Sequence, residues 1–282
     1  MRNFLLYLIL SVSLFLIVSC NKEKLKSPTA SFIYVGHPTV NVTSTSAQGT
    51  SDHKITETWV YVNGQYIGAF PLGGVVPIVA TGNTDIALYG GIKNNGIAAT
   101  RVPYAMYAGY EFSQNFEPGK TYTINPVYNY ISGAQFHLLE NFEGSGVLFS
   151  SVGDSAFSLT TDPSKVYEGL KSLQMGMSDA KPIAAMKTSG HIYTFPQSST
   201  TIYMELNYKC NQPIAVTMLA GDTEERSIIT LNKTDGWNKI YIQLSESVYT
   251  QPTYSYYDLI IKATKEVANP EIYIDNIKLI SF

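Results

Sequence analysis

The chain is short of nearly everything that announces an activity. Cysteine occurs twice in 282 residues, as Cys20 and Cys210, too rarely for a disulfide framework, and no Cys-x-x-Cys pair is present for zinc or thiol redox chemistry. The four histidines, His37, His53, His137 and His191, stand far apart in the chain. There is no His-Glu-x-x-His, Gly-x-Ser-x-Gly, phosphate-binding loop or dinucleotide fingerprint. Gly153-Asp154-Ser155 is followed by Ala156-Phe157 and lacks a downstream Asp-x-x-His, so it reads as a turn. The paired carboxylates of a glycosidase are defined by distance in space, which spacing along a β-chain does not supply. A non-catalytic role is therefore favoured. Basic residues are also sparse: 19 Lys and Arg stand against 22 Asp and Glu. Phosphate binding needs clustered cations, which argues against nucleic acid as a partner. Amphipathic helical periodicity is missing as well.

What is present begins at the N-terminus. Arg2 precedes a charge-free apolar run over residues 4–18, too short to be a comfortable permanent span, which reads as a signal peptide. The run ends in Ile17-Val18-Ser19-Cys20, which resembles the lipobox of type II signal peptides: an aliphatic residue, a tolerant position, a small residue and the acylated cysteine. The resemblance implies cleavage before Cys20, lipid on that residue and attachment to the outer membrane, on the cell surface or the periplasmic face. Residues 21–28 are polar and too poor in apolar side chains to pack, which suits a flexible tether. Loss of Arg2 with the leader makes the remainder more negative than the formal −3 of the whole chain. With Cys20 acylated, Cys210 has no intrachain partner and reads as a small packed residue at a strand end.

From residue 30 onward the dominant pattern is period-2 alternation in short β-branched and aromatic runs broken by Gly, Asn, Asp and Pro. Asn63-Gly64 between two such runs predicts a type I′ hairpin. Further strands are expected over residues 31–35, 40–45, 84–88, 110–116 and 121–126. Their number and spacing predict an immunoglobulin-like sandwich over residues 30–132. A denser series follows from residue 133, with strands expected over 171–177, 183–187, 201–208, 214–220, 227–231, 237–244, 256–263 and 272–280. That series suits a jelly roll over residues 133–282. The expected fold class is thus all-β, an N-terminal immunoglobulin-like sandwich followed by a C-terminal jelly-roll β-sandwich.

Four stretches of the second block, Glu140-Asn141-Phe142-Glu143-Gly144, residues 166–173 (Val-Tyr-Glu-Gly-Leu-Lys-Ser-Leu), residues 236–242 (Gly-Trp-Asn-Lys-Ile-Tyr-Ile) and residues 272–277 (Ile-Tyr-Ile-Asp-Asn-Ile), resemble the galactose-binding-like jelly rolls that serve as carbohydrate-binding modules. The first block, through residues 58–64 and 90–96, is similar to β-domains of lipoproteins from polysaccharide-harvesting bacteria. The resemblance implies glycan binding, and in such modules a structural Ca²⁺ often bridges the first and last strands. Glu143 and Asp275 are the carboxylates placed for that, as part of the six to eight oxygens calcium needs. Otherwise they are exposed strand-end acids.

Sugars present C–H patches rimmed by hydroxyls and call for flat aromatic faces beside polar groups. Tyr249, Tyr254 and Tyr256 form the first candidate platform, with the two last on one face of an extended segment; ordinary cross-strand packing is the competing reading. Trp237 is a further candidate, weighed against a place in the core. Tyr104, Tyr107 and Tyr110, with Arg101 nearby, are a second candidate cluster. Together these features predict an envelope lipoprotein that holds extracellular glycan, within a polysaccharide-uptake or degrading system. The rival reading is a structural or adhesive protein that contacts other envelope proteins.

Overall fold

A computed structural model describes residues 29–192, 195, 201–249 and 254–282. Cys20, its leader and most of the tether lie outside the described residues. The protein is all-β, with two helices of four and five residues among those described. No helix among them is long and apolar enough to cross a membrane.

The first block contains β1 (Ser31–Val35), β2 (Thr39–Asn41), α1 (Thr45–Gln48), β3 (Glu57–Val62), β4 (Gln65–Pro71), β5 (Val75–Ile78), β6 (Gly82–Lys93), β7 (Arg101–Pro103), β8 (Tyr110–Phe116), β9 (Thr121–Ile124) and β10 (Val127–Asn129). β3 and β4 join through Asn63 and Gly64 at φ 50° and 76°. Both are left-handed, as a type I′ turn demands, which is why Asn-Gly stands there. The strand expected over residues 40–45 stops at Asn41, because Ser44 accepts the Ala47 N–H at 3.1 Å and caps α1 instead. The sheet β5-β1-β9 faces the sheet β4-β3-β6-β7, with β8 also on β6. Ile33, Val35, Val76 and Ile78 from one meet Val60, Ile86 and Leu88 from the other. Two short parallel pairings, β1 with β9 and β2 with β10, tie the start of the block to its end.

The second block contains β11 (Gln135–Glu140), β12 (Phe149–Ser151), β13 (Phe157–Thr160), β14 (Ser172–Met175), β15 (Ile183–Thr188), β16 (Ile202–Cys210), β17 (Ile214–Ala220), β18 (Glu224–Leu231), β19 (Asn238–Gln243), α2 (Ser245–Tyr249), β20 (Tyr257–Thr264) and β21 (Ile272–Ser281). One antiparallel sheet runs β13-β14-β21-β16-β19, with β11 also on β21, and the other runs β12-β15-β20-β17-β18. The chain changes sheet at most connections, the wrapping of a jelly roll. Leu206, Ile274, Leu279, Val216, Met218, Leu259 and Ile261 are among the residues that fill the space between.

Alternation alone predicts that the outward face of the six-stranded sheet is wet. Instead β21 is buried at every position and β16 at all but Lys209, because the first block lies on that face. Tyr203, Tyr241 and Ile280 from the sheet pack with Val40, Ile55, Ile92, Tyr104, Tyr107, Tyr128 and Tyr130 from the first block. Charges are sealed in with them. Glu205, with no exposed surface, accepts the Tyr104 hydroxyl at 2.6 Å and lies 3.0 Å from the Lys239 ammonium. Lys278, 1% exposed, donates to the Thr50 carbonyl and the Tyr130 hydroxyl at 2.5 and 2.9 Å. Asn207 donates to Asp52 at 2.9 Å, and the Tyr241 hydroxyl accepts the Lys54 N–H at 2.8 Å. Burial pushes the Glu205 carboxyl up, but the Lys239 and Lys278 ammoniums and the Tyr104 hydroxyl outweigh it and hold the carboxyl below its ordinary value. Burial pulls Lys278 down to about 8 despite the opposing pull of Glu205.

Removing one partner from a buried ion cluster strands the others at a cost of about 3–5 kcal/mol. Glu205→Gln therefore lowers the urea midpoint strongly, and Tyr104→Phe does so less, by about 1–3 kcal/mol for a lost bond to a charged acceptor. Equal midpoints for wild type and Glu205→Gln in equilibrium unfolding would contradict this account of the seam.

Candidate functional site

With one sheet of the jelly roll covered on both sides, the outward face of the other, β12-β15-β20-β17-β18, is where the second block meets solvent. Core residues alternate with outward ones along it. Val216 and Met218 point in, as do Leu259, Ile261 and Met186, so Thr217, Ile260 and Lys187 form one outward row in register, and Ala215, Lys262 and Ala185 the next. The centre of this face is closely packed, with Thr217, Ile260 and Ala185 buried and Lys187, Ala215 and Lys262 half-buried. Its chemistry gathers at one end.

There, Asp258 near the start of β20 is 1% exposed and carries three partners: the Lys187 ammonium and His191 Nδ1, each 3.0 Å from Oδ2, and the Thr188 hydroxyl, 2.9 Å from Oδ1. His191, in the loop after β15, lies against the Tyr256 ring with centroids 4.1 Å apart and planes tilted by 37°. Tyr256, half-buried just before β20, donates its hydroxyl to the exposed Asp222 at 2.7 Å. Asp222 sits at φ 61° beside Gly221 at φ 57°, a left-handed pair that turns β17 into β18 and brings the carboxylate over the sheet end. The result is a short aromatic surface bordered by two carboxylates and an ammonium. His191, Asp222 and Asp258 bring one potential metal-ligand atom each to within 4.8 Å of one another. The Lys187 ammonium already neutralises the buried member of that trio, which makes the arrangement a hydrogen-bonding cluster suited to hydroxyl groups.

Of the residues singled out in the sequence, Tyr254 and Tyr256 come to the same turn. Tyr254 lies half-buried over Gly221, where a side-chain Cβ would come within 2.4 Å of its ring, and donates to Glu224 at 3.0 Å. It packs on the core, whereas Tyr256, also half-buried, lies against His191. Tyr249 ends α2, and its side chain lies outside the described residues. Trp237 precedes β19, where Asn238 pairs with Tyr208 near the crossover from β16 to β17, whereas Tyr257 pairs with Ala220 at the opposite end of β17. The fold thus keeps Trp237 away from Tyr256. It is neither a core residue nor part of this cluster, but half-buried against Tyr167 at 5.2 Å. Tyr104 and Tyr107 are 2% and 4% exposed inside the seam. That placement overturns them as a platform, because the burial partner is a distant sheet that local pattern does not reveal. Cys210 is buried, its thiol pushed up to about 11 by burial, and faces the Asn232 carbonyl at 3.5 Å.

β11 and β21 pair directly, which places Glu143 and Asp275 at the same end of the sheet. Both carboxylates are engaged by protein donors. Glu143 Oε1 accepts the Leu170 and Lys171 N–H groups at 2.8 Å each, over Gly169, whose φ of 72° and missing Cβ permit the approach. Asp275, fully buried, accepts the Ser172 hydroxyl at 2.6 Å and the Asn276 N–H at 2.8 Å. Glu143, Glu168, Asn141 and Asn276 line a cleft of about 470 Å³ that reaches across to Thr45 and Thr50 of the first block.

The residues that the sequence did not single out here are Lys187, Asp222 and Asp258, with His191 noted only as an isolated histidine. Their one shared signal is placement at the ends of predicted strands, where any polar residue is expected.

No protein-family model matches the chain, and no curated protein does. Solved structures with similarity to it include a family 61 carbohydrate-binding module in complex with β-1,4-galactotriose, with a TM-score of 0.38 and 15% identity over 51% of this chain and 97% of that one. A family 29 carbohydrate-binding module gives 0.34 and 12% over 52% and 88%. A variant of that family complexed with mannohexaose gives 0.35 and 12% over 52% and 92%.

Burial raises the Asp275 carboxyl from 3.8 to about 6, against the opposing pull of its Ser172 and backbone donors. The folded state therefore keeps a proton between about pH 4 and 6 that the unfolded state has released. The associated stability is complete below that window and is lost as pH rises through it. Measured against Asp275→Asn in parallel thermal melts, the wild type should lose about 3 kcal/mol between pH 4 and 7. A difference that does not change with pH would rule this out.

Proposed function

We propose that this protein is a non-catalytic, lipid-anchored glycan-binding protein of the cell envelope. The observation that carries the reading is the Tyr256–His191 ring pair, 4.1 Å apart, beside Asp222, Asp258 and Lys187 at one end of a sheet. An aromatic face takes the C–H side of a pyranose, while the exposed Asp222 carboxylate and the Lys187 ammonium meet its hydroxyls, with the buried Asp258 holding Lys187 and His191 in place. The surface is shallow, so each contact is weak. Lipid on Cys20 then has a mechanical role, since many copies fixed at one membrane hold a polymer far better than one copy does. The site lies on the outer membrane, where held polysaccharide serves neighbouring enzymes or transporters.

A chain starting at Leu25, applied to a broad glycan array, should bind a subset of neutral oligosaccharides, and Tyr256→Ala and Asp222→Ala should each weaken that binding by about tenfold, the worth of one stacking or charged contact. Silence across the array would refute the reading and favour a protein that contacts only other envelope proteins. Metabolic labelling with radioactive palmitate should mark the full chain and leave Cys20→Ser unmarked. Equal labelling of both would remove the anchor.

A further inference from the structure

The first block carries a second aromatic surface, on the side turned away from the seam. Along β3, Thr58 and Val60 are buried while Glu57, Trp59 and Tyr61 alternate to the other face. On β6, Ile86 and Leu88 point into the core, leaving Tyr89 and Ala87 outward. Trp59 stands opposite Tyr89 and Ala69, and Tyr61 opposite Tyr66 and Ala87. The four rings form one band: Trp59 stacks on Tyr66 with centroids 5.2 Å apart, Tyr66 lies 5.3 Å from Tyr61, and Tyr61 lies 5.4 Å from Tyr89. None belongs to a core cluster, and Tyr66 is 45% exposed.

The rings are not coplanar, since Tyr61 is tilted 50° to Tyr66 and stands edge-on to Tyr89 at 75°, but small neighbours leave the band uncovered. A Cβ on Gly91 would come within 3.0 Å of the Trp59 indole, and one on Gly109 within 2.8 Å of the Tyr89 ring. Ala69 and Ala87 raise no wall between the rings. Around the band stand groups able to bond hydroxyls. Glu57 takes the Trp59 indole N–H at 3.0 Å and the Arg101 guanidinium at 3.3 Å. Asp85 takes the Ser113 hydroxyl at 2.6 Å. Glu111 lies close enough to act, after burial, in raising the Tyr89 hydroxyl. Cross-strand aromatic pairs stabilise a sheet by up to about 1 kcal/mol each, but a contiguous aromatic band rimmed by polar groups on a solvent-facing sheet marks a binding surface.

We propose that Trp59, Tyr66, Tyr61 and Tyr89 form a second glycan-binding surface, independent of Tyr256, that takes an extended neutral polysaccharide chain. Three features set the class. The band has length and no walls, which suits the interior of a chain and not a captured chain end. Its rim has two exposed carboxylates, Asp85 and Glu111, while the one guanidinium, of Arg101, is already paired with the buried Glu57, which disfavours polyanions. Those carboxylates need donors, which sugar hydroxyls supply and a proline-rich peptide, lacking N–H at each proline, supplies poorly. With Tyr256 on the other block, the chain has two footholds for one polymer, and occupation of both strengthens retention without any new contact.

This proposal rests on the reading of the protein as glycan-binding, and the two can fail separately. The chain has two tryptophans, Trp59 and Trp237, so Trp237→Phe leaves Trp59 as the only indole. Titration of that variant with soluble β-linked galactan, mannan and hydroxyethylcellulose should shift its emission to the blue with at least one of them. Affinity electrophoresis in the same polymers should show Tyr66→Ala and Tyr256→Ala each weakening retardation by about tenfold. The double variant should migrate as in a gel without polymer. Tyr66 is exposed, so its loss leaves the fold intact, and near-ultraviolet circular dichroism verifies this. Retardation unchanged in Tyr66→Ala but lost in Tyr256→Ala would overturn the second surface and leave the first. No retardation of the wild type by any polymer would overturn both. A blue shift produced by a polyproline peptide and by none of the polysaccharides would also overturn it.

Discussion

The rest of the structure depends on the burial of Glu205 among Lys239, Lys278 and the tyrosines of the first block. Taking these charges from water costs several kcal/mol apiece, and close partners of opposite charge offset that, as the 3.0 Å pair of Glu205 and Lys239 does. The partners come from both blocks: Tyr104, Tyr130 and the Thr50 carbonyl from one, Lys239 and Lys278 from the other. An ion cluster of this kind tolerates one alignment. A slip of one residue along either sheet would leave a carboxylate or an ammonium unmatched, whereas a purely apolar seam would tolerate several registers. The tyrosines suit the position, since each offers apolar area for the seam and a hydroxyl for the charges.

That seam decides where ligands can go. It removes the outward face of the six-stranded sheet from solvent and leaves two others: the face that carries Asp258 and Tyr256, and the face of β3, β4 and β6 that carries Trp59 and Tyr66. Both pair aromatic rings with carboxylates and a cation, Lys187 on one and Arg101 on the other. In the proposed role, lipid on Cys20 would hold many copies together, so that modest, distributed contacts work by number and proximity. The Glu143 and Asp275 end of the jelly roll plays a different part. Its carboxylates are drawn inward to hold loops onto the first and last strands of the sandwich.

Much of the fold is legible in the residues. Asn63-Gly64 announces its turn because few other pairs accept two left-handed conformations in succession. Strands such as Tyr110–Phe116 and Ile214–Ala220 follow from alternation and from the turn residues at their ends. The short helix after Asn41 is missed because its one strong signal, the capping Ser44, sits inside a β-branched run. The sites are legible only in part. Tyr256 stands out as one of several tyrosines, but the groups around it come from distant segments: Lys187 and His191 from β15 and the loop after it, and Asp222 from the turn between β17 and β18. Tyr104 and Tyr107 look like surface aromatics for the same reason that Trp59 and Tyr61 look like ordinary strand residues: alternation reports that a residue faces away from its own core, and not what lies on that side.

The sequence by itself determined the β-class and the positions of most strands, which rest on neighbours within a few residues. Only the tertiary structure decided which outward faces stay open. Two of the three faces rich in aromatic or charged residues remain in water and one is sealed. That choice is made by the docking of one block on the other through Glu205, Lys239 and Lys278, an interaction between residues more than a hundred positions from their partners in the first block and so absent from any local pattern.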